Sequence, residues 1–270
     1  MAFRVNPMNH NERIQEEFSK QAPKFNEKGL TLSSQEILAW IVVFLPLEKE
    51  FRVLDVAAGT GHLSRAIAPH VREVTAIDIT PEMLAQAREG TAKSNLNNIT
   101  FEEGNAERLL YEADYFDLVA SRLSIHHFEN PMIQLQEMVR VCKPHHRVAI
   151  IDLLAPEDKE VAKAYNDLER LRDPSHTIAL SKTEMTKLLA DVGIAIESIE
   201  TRDVEVDFER WVQITGATSE TVELLKEELL KDIKDGSKTG MRPFLESGSL
   251  KFLQVWSIII GMKTSSIQPT

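Results

Sequence analysis

Five short apolar runs rich in β-forming residues, at 51–57, 73–79, 99–103, 116–121 and 147–153, are separated from one another by stretches with helical patterning. That alternation reads as βαβ units, and hence as a largely parallel sheet with helices laid against it. Helix boundaries are marked independently. Ser33 with Glu36, and Ser181 with Glu184, match the Ser-x-x-Glu capping box ahead of apolar periodicity. Thr80-Pro81 and Asn130-Pro131 place a cap residue before a proline suited to the first helical position.

Further along, residues 156–173 carry Val161, Ala164, Tyr165, Leu168 and Leu171 on one helical stripe, which Pro174 should terminate. Gly193 reads as a helix C-cap. Beyond it, 194–206 and 250–262 look like two strands on either side of a solvated amphipathic helix at 220–233, able to end the sheet as an antiparallel pair.

Composition narrows the function classes. Thirty-one basic residues against 42 acidic ones leave a net charge of −11, with no basic run, which disfavours a nucleic-acid partner. The longest apolar run, 252–262, is too short to span a bilayer and is broken by Gln254 and Ser257. The first twenty residues alternate polar and charged, without a signal-peptide pattern. Cys142 stands alone, so neither a disulfide framework nor a thiolate zinc site is available. No metal is expected, and the expected location is a reducing cytoplasm.

The chemistry is carried by residues 53–64, Val-Leu-Asp-Val-Ala-Ala-Gly-Thr-Gly-His-Leu-Ser, a buried strand running into a glycine turn and then a helix. Gly59 and Gly61 permit backbone angles and a close ligand approach that a Cβ would obstruct. The turn amides and the helix N-terminus favour an anionic group, at the strand edge where open α/β sheets bind ligands. Taken alone, Gly-x-Gly is also compatible with a tight turn that binds nothing. The second strand, however, ends in Asp78, 23 positions after Asp55, where a carboxylate can accept from ribose hydroxyls. A dinucleotide site wants a third small residue that lets the helix meet a pyrophosphate. Ser64 stands there instead, and Asp55 would repel a pyrophosphate, so an amino acid joined to a nucleoside fits better than NAD.

From Asp55 to Gly61 the chain resembles motif I of class I S-adenosylmethionine-dependent methyltransferases. More closely, it resembles their ubiquinone/menaquinone-biosynthesis branch and its small bacterial relatives. The likeness continues through Phe18-Ser19-x-Gln21-Ala22-x-x-Phe25, similar to the branch's N-terminal cover helix, and Asp78-Ile79-Thr80-Pro81-Glu82-Met83-Leu84. Gly104-Asn105-Ala106-Glu107 and Ser121-Arg122-x-x-x-His126-His127-Phe128 follow in the same order. The resemblance implies a Rossmann-like, doubly wound, seven-stranded sheet whose last strand is antiparallel. Cover helices at 1–48, a cofactor-binding core at 49–153, a helical insertion after the fifth strand at 154–192 and C-terminal elements at 193–270 would make one domain.

It also implies that Asp55, Ala57, Gly59, Thr60 and Gly61 serve the methionine end of S-adenosylmethionine. Asp78 would serve the ribose; Ile79, Met83, Asn105 and Ala106 the adenine; and Ser121 and Arg122 the transferred methyl. Where the family usually has Asp, this chain has Asn105, whose amide can still accept from the adenine amino group, with weaker binding expected.

Methyl transfer from a sulfonium depends chiefly on holding three atoms in line, and a base is needed only if the acceptor must lose a proton. His126 and His127, adjacent on the loop after the fourth strand, are candidates for that base, with packing or capping as the alternative role for either. Arg172 and His176, with Asp173, close the helix after the fifth strand and would line a pocket for a small-molecule acceptor. His145 and His146 precede the fifth strand, at the wrong end. The expected activity is methyl transfer to a small molecule. An NAD(P)-dependent oxidoreductase of related fold and a non-catalytic S-adenosylmethionine-binding protein are the alternatives. Asn-Pro-Pro-Tyr, the mark of adenine and glutamine amino methylation, is replaced here by Ser121-Arg122-Leu123-Ser124.

Overall fold

The computed structural model describes residues 9–25, 30–236 and 238–264. Helices α1 (His10–Gln21) and α2 (Gln35–Phe44) precede β1 (Arg52–Val56), α3 (His62–Ile67), β2 (Glu73–Asp78), α4 (Pro81–Ala92), β3 (Ile99–Glu103) and β4 (Phe116–Arg122). There follow α5 (Pro131–Val141), β5 (Cys142–Leu154), α6 (Lys159–Arg172), α7 (Lys182–Asp191), β6 (Ile194–Asp207), α8 (Phe208–Thr215), α9 (Ser219–Asp235), β7 (Phe244–Glu246) and β8 (Ser249–Lys263).

The sheet runs β3-β2-β1-β4-β5-β8-β6, parallel from β3 to β5, with β8 antiparallel to both β5 and β6. These seven strands match the expected architecture. An eighth, β7, forms a hairpin with the start of β8 through Ser247 and Gly248, whose positive φ angles of 50° and 85° suit a two-residue turn.

Alternation along the strands builds two apolar layers. Val53, Leu118, Ala120, Ala149, Ile151, Ile258 and Ile260 face α2, α3, α6, α8 and α9. Leu54, Val56, Val119, Val148, Ile150 and Ile259 face α5 and α7. One buried cation ties the sheet's last strand to this frame: Lys263 Nζ donates to Asp114 Oδ1 (2.6 Å) and to the carbonyl of Cys142 (2.8 Å).

Local signals were mostly placed correctly. Ser181 and Glu184 form a reciprocal capping box, and Pro81 and Pro131 open their helices. The box expected at Ser33 does not form: Ser34 caps α2 alone, accepting the Ile37 N–H, because Ser33 belongs to a preceding 3-10 turn and its hydroxyl donates to the Leu30 carbonyl. Neither Thr80 nor Asn130 caps with its side chain; Asp78 accepts the Thr80 N–H instead. On α6, Tyr165 and Leu168 are buried as expected, whereas Leu171 is 38% exposed and the buried face turns toward Asn166 and Glu169. No helix among the described residues is long and apolar enough to cross a membrane.

Candidate functional site

The carboxyl ends of β1, β2, β3, β4 and β5 open onto one cavity of about 500 Å³. Because β8 runs backwards between β5 and β6, its beginning reaches the same edge as the end of β6. Glu205, Val206, Lys251, Gln254 and Trp256 therefore join the wall. Helix α1 closes the opposite side with Asn11, Ile14, Phe18 and Gln21.

The turn after β1 is held from below by two buried carboxylates. Asp55 accepts the Ser64 hydroxyl at 2.5 Å and lies off the cavity wall, so it anchors α3 to the strand rather than reaching a ligand. Burial pushes its pKa up to about 7, although Ser64 and the Arg122 charge pull the other way. Asp78, at the end of β2, accepts the Gly59 N–H at 2.7 Å with one oxygen and the Thr80 N–H at 2.9 Å with the other. It lies on the wall, and its pKa is raised by burial in spite of these bonds.

The two glycines differ. Gly59, at φ 55°, lies on the wall, and a Cβ there would meet no atom of the described residues within 4 Å. Gly61, at φ 73°, lies off the wall, and its Cβ would press on Phe101 at 3.0 Å and Ala87 at 3.2 Å. Two non-glycine residues also take the left-handed region beside the turn, Ala57 (φ 55°) and Leu123 (φ 54°), both on the wall where β1 and β4 diverge. Such strain persists where the surroundings over-determine it, and it gathers at ligand sites.

Ala57, Gly59, Thr60, Asp78, Ile79, Met83, Asn105 and Ala106 thus share one end of the cavity. Asn105 Oδ1 accepts the Glu107 N–H at 2.8 Å, and its NH₂ has no hydrogen-bond partner among the described residues. Ser121 is a correction: it is not on the wall, because its hydroxyl turns into the sheet to donate to the Val56 carbonyl at 2.7 Å and to meet Ser124, which is on the wall.

At the other end, Arg122 donates to the Leu32 carbonyl at 2.9 Å and lies 5.5 Å over the Trp256 ring. Burial lowers its pKa to about 10 against the pull of Asp55 and Asp152. Arg172 pairs with the buried Glu169 at 3.1 Å and lies 5.0 Å over Trp211. Glu169 in turn accepts from Gln254, whose Oε1 accepts the Trp256 N–H. A belt of linked polar and indole groups, Arg122–Trp256–Gln254–Glu169–Arg172–Trp211, therefore runs along this end.

His126 is on the wall, with Nδ1 2.5 Å from Asp152 Oδ1. His127 is also on the wall, its Nδ1 facing Ser175 at 3.1 Å, and burial pushes its pKa down to about 4. His176, expected to face the same space, is off the wall: it lies behind His126, its Nε2 2.7 Å from Asn166 Oδ1, and burial holds it far below the usual imidazole range. His145 and His146 lie away from the cavity, His146 beside Asp117. Among the described residues no group of three or more His, Cys, Asp and Glu could hold a metal.

Several residues of the site escaped the sequence reading: Trp211, Gln254, Trp256 and Ser124 on the wall, and Asp152 behind it against His126. Only Asp152 left a trace, as a carboxylate interrupting an apolar strand in the way that Asp55 does. The two tryptophans come from elements 45 positions apart and share no spacing motif.

Residues 47–238 match the methyltransferase domain family. The chain is 30% identical over 203 residues to the methyltransferase YcgJ of Bacillus subtilis, covering 75% of this chain and 80% of that one. The crystal structure of YcgJ superposes with a TM-score of 0.79 at 27% identity, covering 86% of this chain and all of that one. A demethylmenaquinone methyltransferase of Listeria monocytogenes is 29% identical over 163 residues, 57% of this chain and 69% of the relative. At 16% identity, phosphoethanolamine N-methyltransferase 2 of Haemonchus contortus, solved with S-adenosylhomocysteine, shares the fold with a TM-score of 0.64 over 97% of this chain and 61% of its own.

Proposed function

Because this chain belongs to the methyltransferase domain family, we propose that it transfers a methyl group from S-adenosylmethionine to a small-molecule acceptor. The observation that carries this reading is the glycine turn. It is held open by Asp78, and at Gly59 it leaves a conformation and a space that no atom of the described residues uses.

The residues present suit the cofactor. Thr60 Oγ1, Gln134 Oε1 and Gln21 Nε2 belong to wall residues and are buried without a hydrogen-bond partner among the described residues, so the wall offers polar atoms to a polar guest. Gly59 and the turn amides would receive the methionine portion. Asp78 has lone pairs left for ribose hydroxyls, and Ile79, Met83 and Ala106 offer an apolar slot for a planar base, with the Asn105 amide at its edge as a donor. When bound, the cofactor supplies a methyl already activated on a sulfonium. The chain's own task is therefore positional: Arg122 and the Trp256 ring limit where an acceptor can lie, α1 and the aromatic belt exclude water, and the strand ends fix the approach.

The test is a calorimetric titration of ligand-free protein with S-adenosylhomocysteine and, separately, with NAD. Binding of the first alone, followed by release of S-adenosylhomocysteine from S-adenosylmethionine in a metabolite screen, is the expected result. Binding of NAD alone would overturn the reading in favour of an oxidoreductase, and affinity without turnover across the screen would favour a binding protein.

A further inference from the structure

Three histidine rings lie within 4.2 to 6.3 Å of one another beside the cavity, and only one of them has a carboxylate against it. Asp152, 1% exposed at the end of β5, accepts the N–H groups of Ser124 (3.2 Å) and Ile125 (2.8 Å) with Oδ2 and that of Leu153 (2.8 Å) with Oδ1. A group that receives three backbone donors acts as an acceptor, so the proton between Asp152 and His126 belongs to Nδ1 of the imidazole. The neutral ring then presents a bare Nε2. This nitrogen has no hydrogen-bond partner among the described residues, and His126 lies on the cavity wall beside Arg122 and Ser124. The same pair also pins the 3-10 turn at Ile125–His127 to β5, which fixes the ring's direction.

We infer that His126, positioned by Asp152, accepts a proton from the attacking atom of the methyl acceptor, and that the acceptor is therefore a protic nucleophile. This rests on the methyltransferase reading given above. The step balances: the pair of electrons of the X–H bond forms the new X–CH₃ bond, and the S–CH₃ bond breaks with its pair staying on sulfur. The proton passes to Nε2, and one positive charge moves from sulfonium to imidazolium, next to an ionised Asp152.

The surroundings suit a ring that holds a proton. Burial alone would lower the pKa of His126, but the Asp152 charge and hydrogen bond, with Glu169 and Asp173, outweigh it and raise it. His127 on the same turn and His176 from the loop after α6 are both depressed and stay neutral. The cations facing this region are Arg122 from β4, near Asp55 and Asp152, and Arg172 from α6, paired with Glu169 and Asp173.

The imidazole nitrogens of the full, ligand-free chain can be followed by NMR through a pH titration, which decides the matter independently of turnover. The expected result is a His126 midpoint above 6.5, with the neutral form carrying its proton on Nδ1. Asp152→Asn should lower the midpoint and move the proton to Nε2, since the amide would offer N–H to Nδ1. A neutral ring protonated on Nε2 in the wild type, or a midpoint at or below 6.5, would overturn the proposal even if Asp152→Asn fails to fold. Matched probes then read the acceptor class: a phenol against its methyl ether, and a thiol against its thioether. Release of S-adenosylhomocysteine confined to the proton-bearing members, and lowered roughly a hundredfold or more by His126→Gln, supports it. Comparable release from the ether or thioether, or unchanged release by His126→Gln, sinks it. Absence of S-adenosylhomocysteine binding would instead count against the methyltransferase reading and leave the imidazole result standing.

Discussion

Gly59 and Gly61 sit two residues apart in one turn, yet the structure gives them different tasks, and an alanine at each position separates these. Both residues have left-handed φ angles, 55° and 73°, so either substitution carries the left-handed penalty of about 1–2 kcal/mol for a residue with a Cβ. At Gly59 nothing further is added, because no atom of the described residues lies within 4 Å of the new methyl. At Gly61 the methyl is pushed against the Phe101 ring at 3.0 Å and the Ala87 methyl at 3.2 Å, in the layer between α4 and β3. Overpacking of that kind adds about 1–3 kcal/mol, so Gly61→Ala should cost roughly 2–5 kcal/mol in total. That is a large part of a typical stability of about 5–15 kcal/mol.

Binding should rank in the opposite order. Gly59→Ala puts its methyl on the cavity wall and should weaken S-adenosylhomocysteine binding about tenfold or more, near 1.4 kcal/mol. Gly61→Ala, where folded, should bind nearly as wild type. Urea unfolding gives the first quantity and calorimetry the second. Equal destabilisation by the two alanines, or wild-type affinity in Gly59→Ala, would refute this division of labour.

Asp78→Asn exchanges one acceptor oxygen for an NH₂ group that faces a backbone N–H, of Gly59 or of Thr80, and should cost about 1–3 kcal/mol of stability together with a loss of cofactor affinity; unfolding and calorimetry of the same samples check both. Lys263→Met removes the donor shared by Asp114 and the Cys142 carbonyl, and with Asp114 partly exposed the loss should be about 2 kcal/mol, read as a lower urea midpoint without change in cofactor affinity. Acid should destabilise the fold between pH 6.5 and about 4. His62 and His127 are depressed to about 4 and His176 is depressed further, so the unfolded chain binds more protons at these three rings in that window; Asp55, raised to about 7, opposes this, and Asp78, raised by burial, acts in the same opposing sense. With three groups against at most these two, the net is one proton or more, a slope of at least about 1.4 kcal/mol per pH unit with stability falling as pH falls, and a flat or opposite dependence in urea unfolding would contradict the burial of these rings.

The end of the cavity built on the glycine turn was legible because it is made locally. Each strand end contributes a few consecutive residues, and the periodicity that buries the strand also sets the register at which Ala57, Asp78 or Asn105 emerges. The errors there are errors of side-chain direction. Ser121 alternates into the sheet, and Gly61 is needed for packing on Phe101 rather than for the approach of a ligand. Helix α8 and the β7 hairpin went unread: α8 is only eight residues long, and β7 only three. At the acceptor end the readable residues were those of one helix terminus, and even there the ring of His176 was taken by Asn166.

The acceptor wall also explains why the two ends can change independently. Arg172, Trp211, Gln254 and Trp256 meet only because β8 turns back between β5 and β6, and none of them hydrogen-bonds to the turn after β1. The Gln254–Glu169 bond and the Arg172–Trp211 stack join β8, α6 and α8 to one another, so the belt is a self-contained frame seated on the end of the parallel sheet. Altering its side chains would reshape the acceptor space while leaving Asp55, Asp78 and the glycine turn in place. Arg122 and His126 are the exceptions. Arg122 lies over Trp256 and feels Asp55, and His126 is held by the end of β5, so these two residues tie the belt to the parallel sheet. A graft of a different belt onto this sheet should therefore keep cofactor affinity but lose turnover unless the contacts around Arg122 and His126 are carried with it.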